Sequence, residues 1–121
     1  MLKLLTDLPD DVVGIEAVGR IETSDYENVL DPAVKAALQH HDKIRLLYVL
    51  SEEFEGYSAG ASWEDLKLGV EHWGKWERIA VVTDKGWIRD GVKMLGWMLP
   101  GAVKVFETGA REEATAWVTG R

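Results

Sequence analysis

The sequence predicts an α/β fold: a mixed, mostly parallel sheet of about five strands with about four helices. Three observations predict it. A short alternating segment near the start is followed, three times over, by an apolar run and then a helix-length amphipathic stretch. Two of the runs, Leu46-Leu47-Tyr48-Val49-Leu50 and Ile79-Ala80-Val81-Val82, are apolar at successive positions, the pattern of strands covered on both faces. Turn and cap signals separate the pieces, among them Leu8-Pro9-Asp10-Asp11, Ser62-Trp63-Glu64-Asp65 and Pro100-Gly101.

Leu2-Lys3-Leu4-Leu5 is the first strand, and only a short turn joins it to the second, so the two pair antiparallel. Val12 to Ile21 is the second strand. It places Val13, Ile15, Ala17 and Ile21 on one face and Glu16 and Arg20 on the other, which is then partly wet. Thr23-Ser24-Asp25 starts a helix with the stripe Tyr26, Leu30, Val34, Ala37, Leu38. Pro32 interrupts that stripe: either the helix begins there with Asp31 as its cap, or a first turn kinks into it. Lys43 to Leu50 is the central strand, and the loop Ser51 to Ala61 follows. Ser62 opens a helix whose stripe is Trp63, Leu66, Val70 and Trp73, with Gly74 as its stop. Arg78 to Thr83 is a buried strand, Trp87 to Leu99 a helix, Val103 to Phe106 the last strand. Arg111 to Val118 is the last helix, with Ala114, Trp117 and Val118 inward. Strands alternating with helices in this way are joined by right-handed crossovers.

At 121 residues the chain is one domain, and 46% apolar with 29% charged residues is the composition of a soluble globular protein. With no cysteine, disulfides, thiolate metal sites and a cysteine nucleophile are excluded. A net charge of -7 opposes electrostatic binding of nucleic acid. No apolar run approaches the roughly 20 residues of a membrane span. The amino terminus, Met1 to Asp7, turns acidic too quickly for a signal peptide, so a cytoplasmic location is expected.

The residues that chemistry would need are sparse. Asp84-Lys85-Gly86-Trp87, after a strand, holds one glycine and a bulky ring where a phosphate loop needs several glycines. No G-x-S-x-G elbow is present. His40-His41-Asp42 suggests a metal, but adjacent side chains at a helix end diverge and His72 lies far along the chain. These imidazoles read as a solvated helix terminus. Glu52, Glu53 and Glu55 follow the central strand, at the end where ligands of parallel sheets gather. Without a paired acid, a nucleophile or a metal they read as a solvated loop. No catalysis, cofactor or metal is expected.

Two features stand out. Met94-Leu95-Gly96-Trp97-Met98-Leu99 makes the third helix apolar all round, beyond the stripe Ile88, Val92, Leu95, Leu99. Its surplus apolar residues need cover from a neighbouring helix, a second copy or an apolar ligand. Lys85, Arg89 and Lys93 recur every four residues, either as a solvated face or as a seat for an anionic group.

Taken in order, Ser24-Asp25-Tyr26-Glu27, Lys43-Ile44-Arg45-Leu46-Leu47, Ser62-Trp63-Glu64-Asp65-Leu66-Lys67-Leu68-Gly69, Arg78-Ile79-Ala80-Val81-Val82, Phe106 and Glu113-Ala114-Thr115-Ala116-Trp117-Val118 span nearly the whole chain. In this order and spacing they resemble the SpoIIAA-like family, relatives of STAS domains and of the CRAL-TRIO lipid-binding fold. The resemblance implies a right-handed β–α superhelix in which strands adjacent in the chain are adjacent in the sheet, with helices mainly on one face. STAS anti-sigma-factor antagonists carry a phosphorylatable serine, preceded by aspartate, at the start of the helix after the central strand. Here the region reads Gly56-Tyr57-Ser58-Ala59-Gly60-Ala61-Ser62, which lacks the aspartate–serine pair. Ser62 reads as the helix cap, with Ser58 just before it.

Two functions are then expected in competition. The first is a non-catalytic interaction module that binds another protein through Phe54, Tyr57, Ser58 and Ser62 and the starts of the second and third helices. The second is a carrier of a lipid or other amphipathic molecule. Its tail would lie against Trp87, Met94, Leu95, Trp97 and Met98, and its anionic head against Lys85, Arg89 or Lys93. The first reading is preferred, and a homodimer would also cover the apolar third helix.

Overall fold

The protein is described here from a computed structural model that places residues 1–57, 73–96 and 101–120. Five strands form one sheet: β1 (Leu2–Leu4), β2 (Val12–Ala17), β4 (Ile44–Leu50), β6 (Trp76–Val82) and β7 (Ala102–Phe106), side by side in that order. β3 (Arg20–Ile21) and β5 (Gly56–Tyr57) make a separate two-stranded ribbon. β1 runs antiparallel to β2, with Leu2 opposite Ala17, and every other neighbouring pair in the main sheet is parallel. This is the mixed, mostly parallel sheet that the alternation of elements predicts.

From β2 onward each strand is laid down on the same side of the one before it. Crossovers of one hand then require their helices to share a face. They do. Between β2 and β4 come α1 (Thr23–Asp25), a π-helical turn (Tyr26–Leu30) and α2 (Asp31–Leu38). Between β6 and β7 comes α3 (Gly86–Gly96). Tyr26, Leu30, Val34 and Ile88 all join one core cluster with Val13, Ile15, Tyr48 and Val81. The last helix, α4 (Arg111–Thr119), follows the last strand, makes no crossover and lies on the opposite face. There Ala114 and Val118 pack on Leu47, Val49, Ala80 and Val82. α2, α3 and α4 are the helices of eight or more residues among the described ones. The helix expected from Ser62 lies outside the described residues, apart from a short 3-10 turn at Trp73–Lys75.

The ambiguity at Pro32 resolves in favour of a continuous entry. The Asp31 N–H donates to the carbonyl of Tyr26, five residues back. The widened turn lets Pro32, which has no N–H, sit in the first turn of α2 where none is needed. At the other end of α1 the Glu22 N–H donates to Asp25 Oδ2 at 2.8 Å, closing the first turn.

The second strand is shorter than the alternation of Val12 to Ile21 suggests. Gly19 has φ +66°, a left-handed conformation that ends β2. Its N–H donates to the Glu53 carbonyl at 3.0 Å and its own carbonyl accepts from the Glu55 N–H at 2.8 Å. The chain leaves the main sheet there and pairs Ile21 with Tyr57. The face assignment survives the break, because Ile21 is fully buried in the same cluster as Val13, Ile15 and Ala17.

Candidate functional site

Parallel strands end together. Leu50, Val82 and Phe106 therefore bring their following loops to one edge of the sheet, the carboxyl edge.

The loop after β4 is pinned on both sides. The Ser51 N–H donates to the Ala17 carbonyl at 3.0 Å, the Phe54 N–H donates to the Ser51 carbonyl at 3.0 Å, and the Glu53 N–H donates to Ser51 Oγ at 3.1 Å. Phe54 is 3% exposed. This corrects the expectation that Phe54 meets a partner. It is the one apolar side chain in Glu52-Glu53-Phe54-Glu55, so the hydrophobic effect seats its ring in the core. Glu52, Glu53 and Glu55 are thereby held outward, all exposed.

The loop after β6 is built on the Thr83 hydroxyl and the Asp84 carboxylate. Thr83 is buried, donates its N–H to the Phe106 carbonyl at 2.9 Å and accepts from the Lys85 N–H on Oγ1 at 3.1 Å. Asp84 Oδ1 accepts the Thr108 N–H at 2.9 Å, which ties this loop to the one after β7. That backbone hydrogen bond, the Thr108 hydroxyl and the nearby Arg89 guanidinium hold the Asp84 carboxyl below the usual aspartate range. The Lys85 ammonium lies 6.0 Å from the Phe54 ring centroid, so the loops after β4 and β6 meet.

Trp87 follows at the start of α3 and is 63% exposed. Its neighbour Ile88 is buried and takes the helix into the core. Lys85 and Arg89 are half-buried and Lys93 is exposed. At roughly 100° per residue, Trp87 lies about 200° round the helix from Arg89. The tryptophan and the basic stripe therefore occupy opposite flanks of α3. Met94 is placed by its backbone within α3, whereas Trp97 and Met98 lie outside the described residues, as do Ser58 and Ser62. Tyr57 is placed by its backbone, in β5 beside Ile21.

A second feature sits at the opposite, amino edge. Between α2 and the β1–β2 connection lies an open cleft of about 430 Å³ whose walls include Leu4, Leu5, Leu8, Ala33 and Ala36. Asp10, His40 and His41 contribute its polar groups. Among the described residues no group of three or more His, Asp or Glu is arranged to hold a metal ion, and no helix is long and apolar enough to cross a membrane.

Sequence reasoning passed over three charged residues. Arg45, the second residue of β4, is 5% exposed. Its Nε donates to Glu77 Oε1 at 2.6 Å, and Nη1 donates to the carbonyls of Val118 and Gly120. Arg78 Nη1 donates to the Trp117 carbonyl at 2.6 Å and the Gly120 carbonyl at 3.1 Å. A charged residue inside a strand read as buried is itself the signal that a partner is waiting elsewhere in the chain.

The family model described as SpoIIAA-like matches residues 12–119. Among solved structures, the chain is similar to an uncharacterised protein of the DUF3478 family from Shewanella loihica PV-4 with a SpoIIAA-like fold. The two are 26% identical and superpose with a TM-score of 0.79 over 97% of this chain and 93% of that one. No curated protein sequence matches the chain.

Proposed function

From the premise that the chain belongs to the SpoIIAA-like family, we propose that it is a non-catalytic interaction module that binds a protein partner at its carboxyl edge. The observation that carries this reading is Trp87. A tryptophan 63% exposed leaves a large flat apolar surface in water, and such rings anchor protein interfaces more often than other surface residues do. Around it, the loops after β4, β6 and β7 are held by hydrogen bonds to one another and to the sheet, so the edge is preorganised. The carboxylates fit binding better than acid–base work. Asp84 is ionised and committed to Thr108, and Glu52, Glu53 and Glu55 are exposed, with no paired acid, nucleophile or metal-binding cluster beside them among the described residues.

The experiment is affinity capture with the wild-type chain and with Trp87→Ala, followed by a binary affinity measurement on any recombinant partner recovered. Loss of affinity of at least about tenfold in Trp87→Ala supports the reading. Unchanged affinity in Trp87→Ala and in a Glu52→Lys, Glu53→Lys double variant overturns it.

A further inference from the structure

The cleft at the amino edge is separate from the interaction edge. The parallel strands start there, and the turn that follows α2 brings His40 and His41 there, whereas Trp87 and Asp84 lie where the strands finish. Its volume of about 430 Å³ falls within the roughly 300–1,000 Å³ of small-molecule clefts. Two features keep it open. One wall of α2 carries only Ala33, Ala36 and Ala37, which leave the space a larger side chain would take. Opposite, Leu4 is 54% exposed at the end of β1, an apolar surface that the chain itself does not cover. Its charge is one-sided. Asp10 supplies a carboxylate with no ion-pair partner among the described residues, and the whole chain carries -7. The imidazoles of His40 and His41 accept a hydrogen bond as readily as they donate one.

We propose that this cleft binds a small amphipathic amine: a hydrocarbon body against Leu4, Leu8 and the alanines of α2, and an ammonium head donating to Asp10 and to an imidazole. The negative carboxylate and the net charge select against a carboxylate head on the same body. The site is independent of the proposed partner at the carboxyl edge.

The test is an amide chemical-shift titration of the full chain with hexylamine and, separately, hexanoate, which share a hydrocarbon body. Hexylamine is expected to give saturable shifts at residues 4–13 and 33–41, with hexanoate at least tenfold weaker. Ala36→Phe fills the cleft from an exposed helix position, and it should abolish the shifts while leaving the thermal midpoint in place. Asp10→Asn should bring the two affinities to within about twofold. Trp87→Ala should change neither. Equal affinity for both compounds in the wild type, shifts centred on α3, or no saturable shifts with hexylamine would each overturn the proposal.

Discussion

Arg45 donates from Nη1 to the carbonyl of Val118 at 2.9 Å, joining the buried central strand to the last turn of the last helix across 73 positions of chain. A helix leaves its final carbonyls without internal partners and carries partial negative charge at that end. Arg45 and Arg78, from adjacent strands, supply the donors there, and Arg78 also lies over the Trp117 ring at 5.4 Å from its centroid. Glu77 compensates the buried guanidinium from a position where its own carboxylate is 42% exposed. The fold thus fastens α4 to the face of the sheet that the crossovers leave bare.

Removing Arg45 therefore costs more than a surface charge would. Arg45→Leu leaves the Val118 carbonyl buried without its donor, and the expected loss is about 2–3 kcal/mol. Glu77→Gln should cost less than about 1 kcal/mol, because the partly wet carboxylate is screened. Arg45→Lys should recover only part of the loss, since an ammonium lacks the planar fork that serves two directions at once. Urea denaturation of the three variants checks the ranking, and an Arg45→Leu chain as stable as wild type would refute it.

This clamp marks the boundary of what could be read from the residues. The five strands of the main sheet and the face on which Val13, Ile15, Ala17 and Ile21 fall follow from local periodicity, whereas the adjacency in the sheet of strands consecutive in the chain is what the family resemblance implies. Arg45 follows from neither, because its partners are supplied by Glu77 on the next strand and by Val118 and Gly120 at the far end of the chain. Gly19 is a similar case: nothing local distinguishes a glycine that continues a strand from one whose φ turns positive to meet Glu53 and Glu55. At the candidate site, Trp87 was expected against the tail of an amphipathic ligand or a second copy, and its 63% exposure depends on which flank of α3 the core covers. Phe54 was misread because an aromatic flanked by glutamates looks like a surface loop until its ring is placed.

Two glycines should respond differently to the same added methyl group. A Cβ at Gly101 would overlap the Trp76 carbonyl oxygen and lie 2.8 Å from the Glu77 carbonyl oxygen, both fixed in β6. A Cβ at Gly14 would overlap the tip of Leu8, a side chain that can rotate, and lie 3.1 Å from Leu5 Cβ. Gly101→Ala should destabilise by about 2–3 kcal/mol and Gly14→Ala by about half of that. Thermal melts of the pair test the order, and equal losses would show that backbone and side chain yield alike.

The acid limb of stability should report Asp84. Its carboxyl titrates below the usual aspartate value because Thr108 and Arg89 favour the ionised form. In the window between that depressed value and the unfolded one, the unfolded chain binds more protons, so stability rises with pH. The contribution is present above the unfolded value and is lost as pH falls through the folded one. Carbon-detected titration of Asp84 should place its midpoint below that of a peptide aspartate, and Asp84→Asn should flatten the slope of stability in that window. A midpoint at the peptide value would remove Thr108 as a donor in solution.

Adjacent residues on α3 separate folding from binding. Ile88 is buried beside Val81 and Tyr48 in the larger core cluster, so Ile88→Ala removes packed methyl groups and should cost about 2–4 kcal/mol. Trp87 is mostly in water, so Trp87→Ala should change stability by no more than about 0.5 kcal/mol. If the carboxyl edge is the docking surface, the costs reverse in a binding assay: Trp87→Ala weakens the partner at least tenfold while its melting curve stays that of the wild type. A partner lost equally from both variants would mean that the edge needs only a folded helix, and a Trp87→Ala chain that melts early would mean that the indole serves the fold instead.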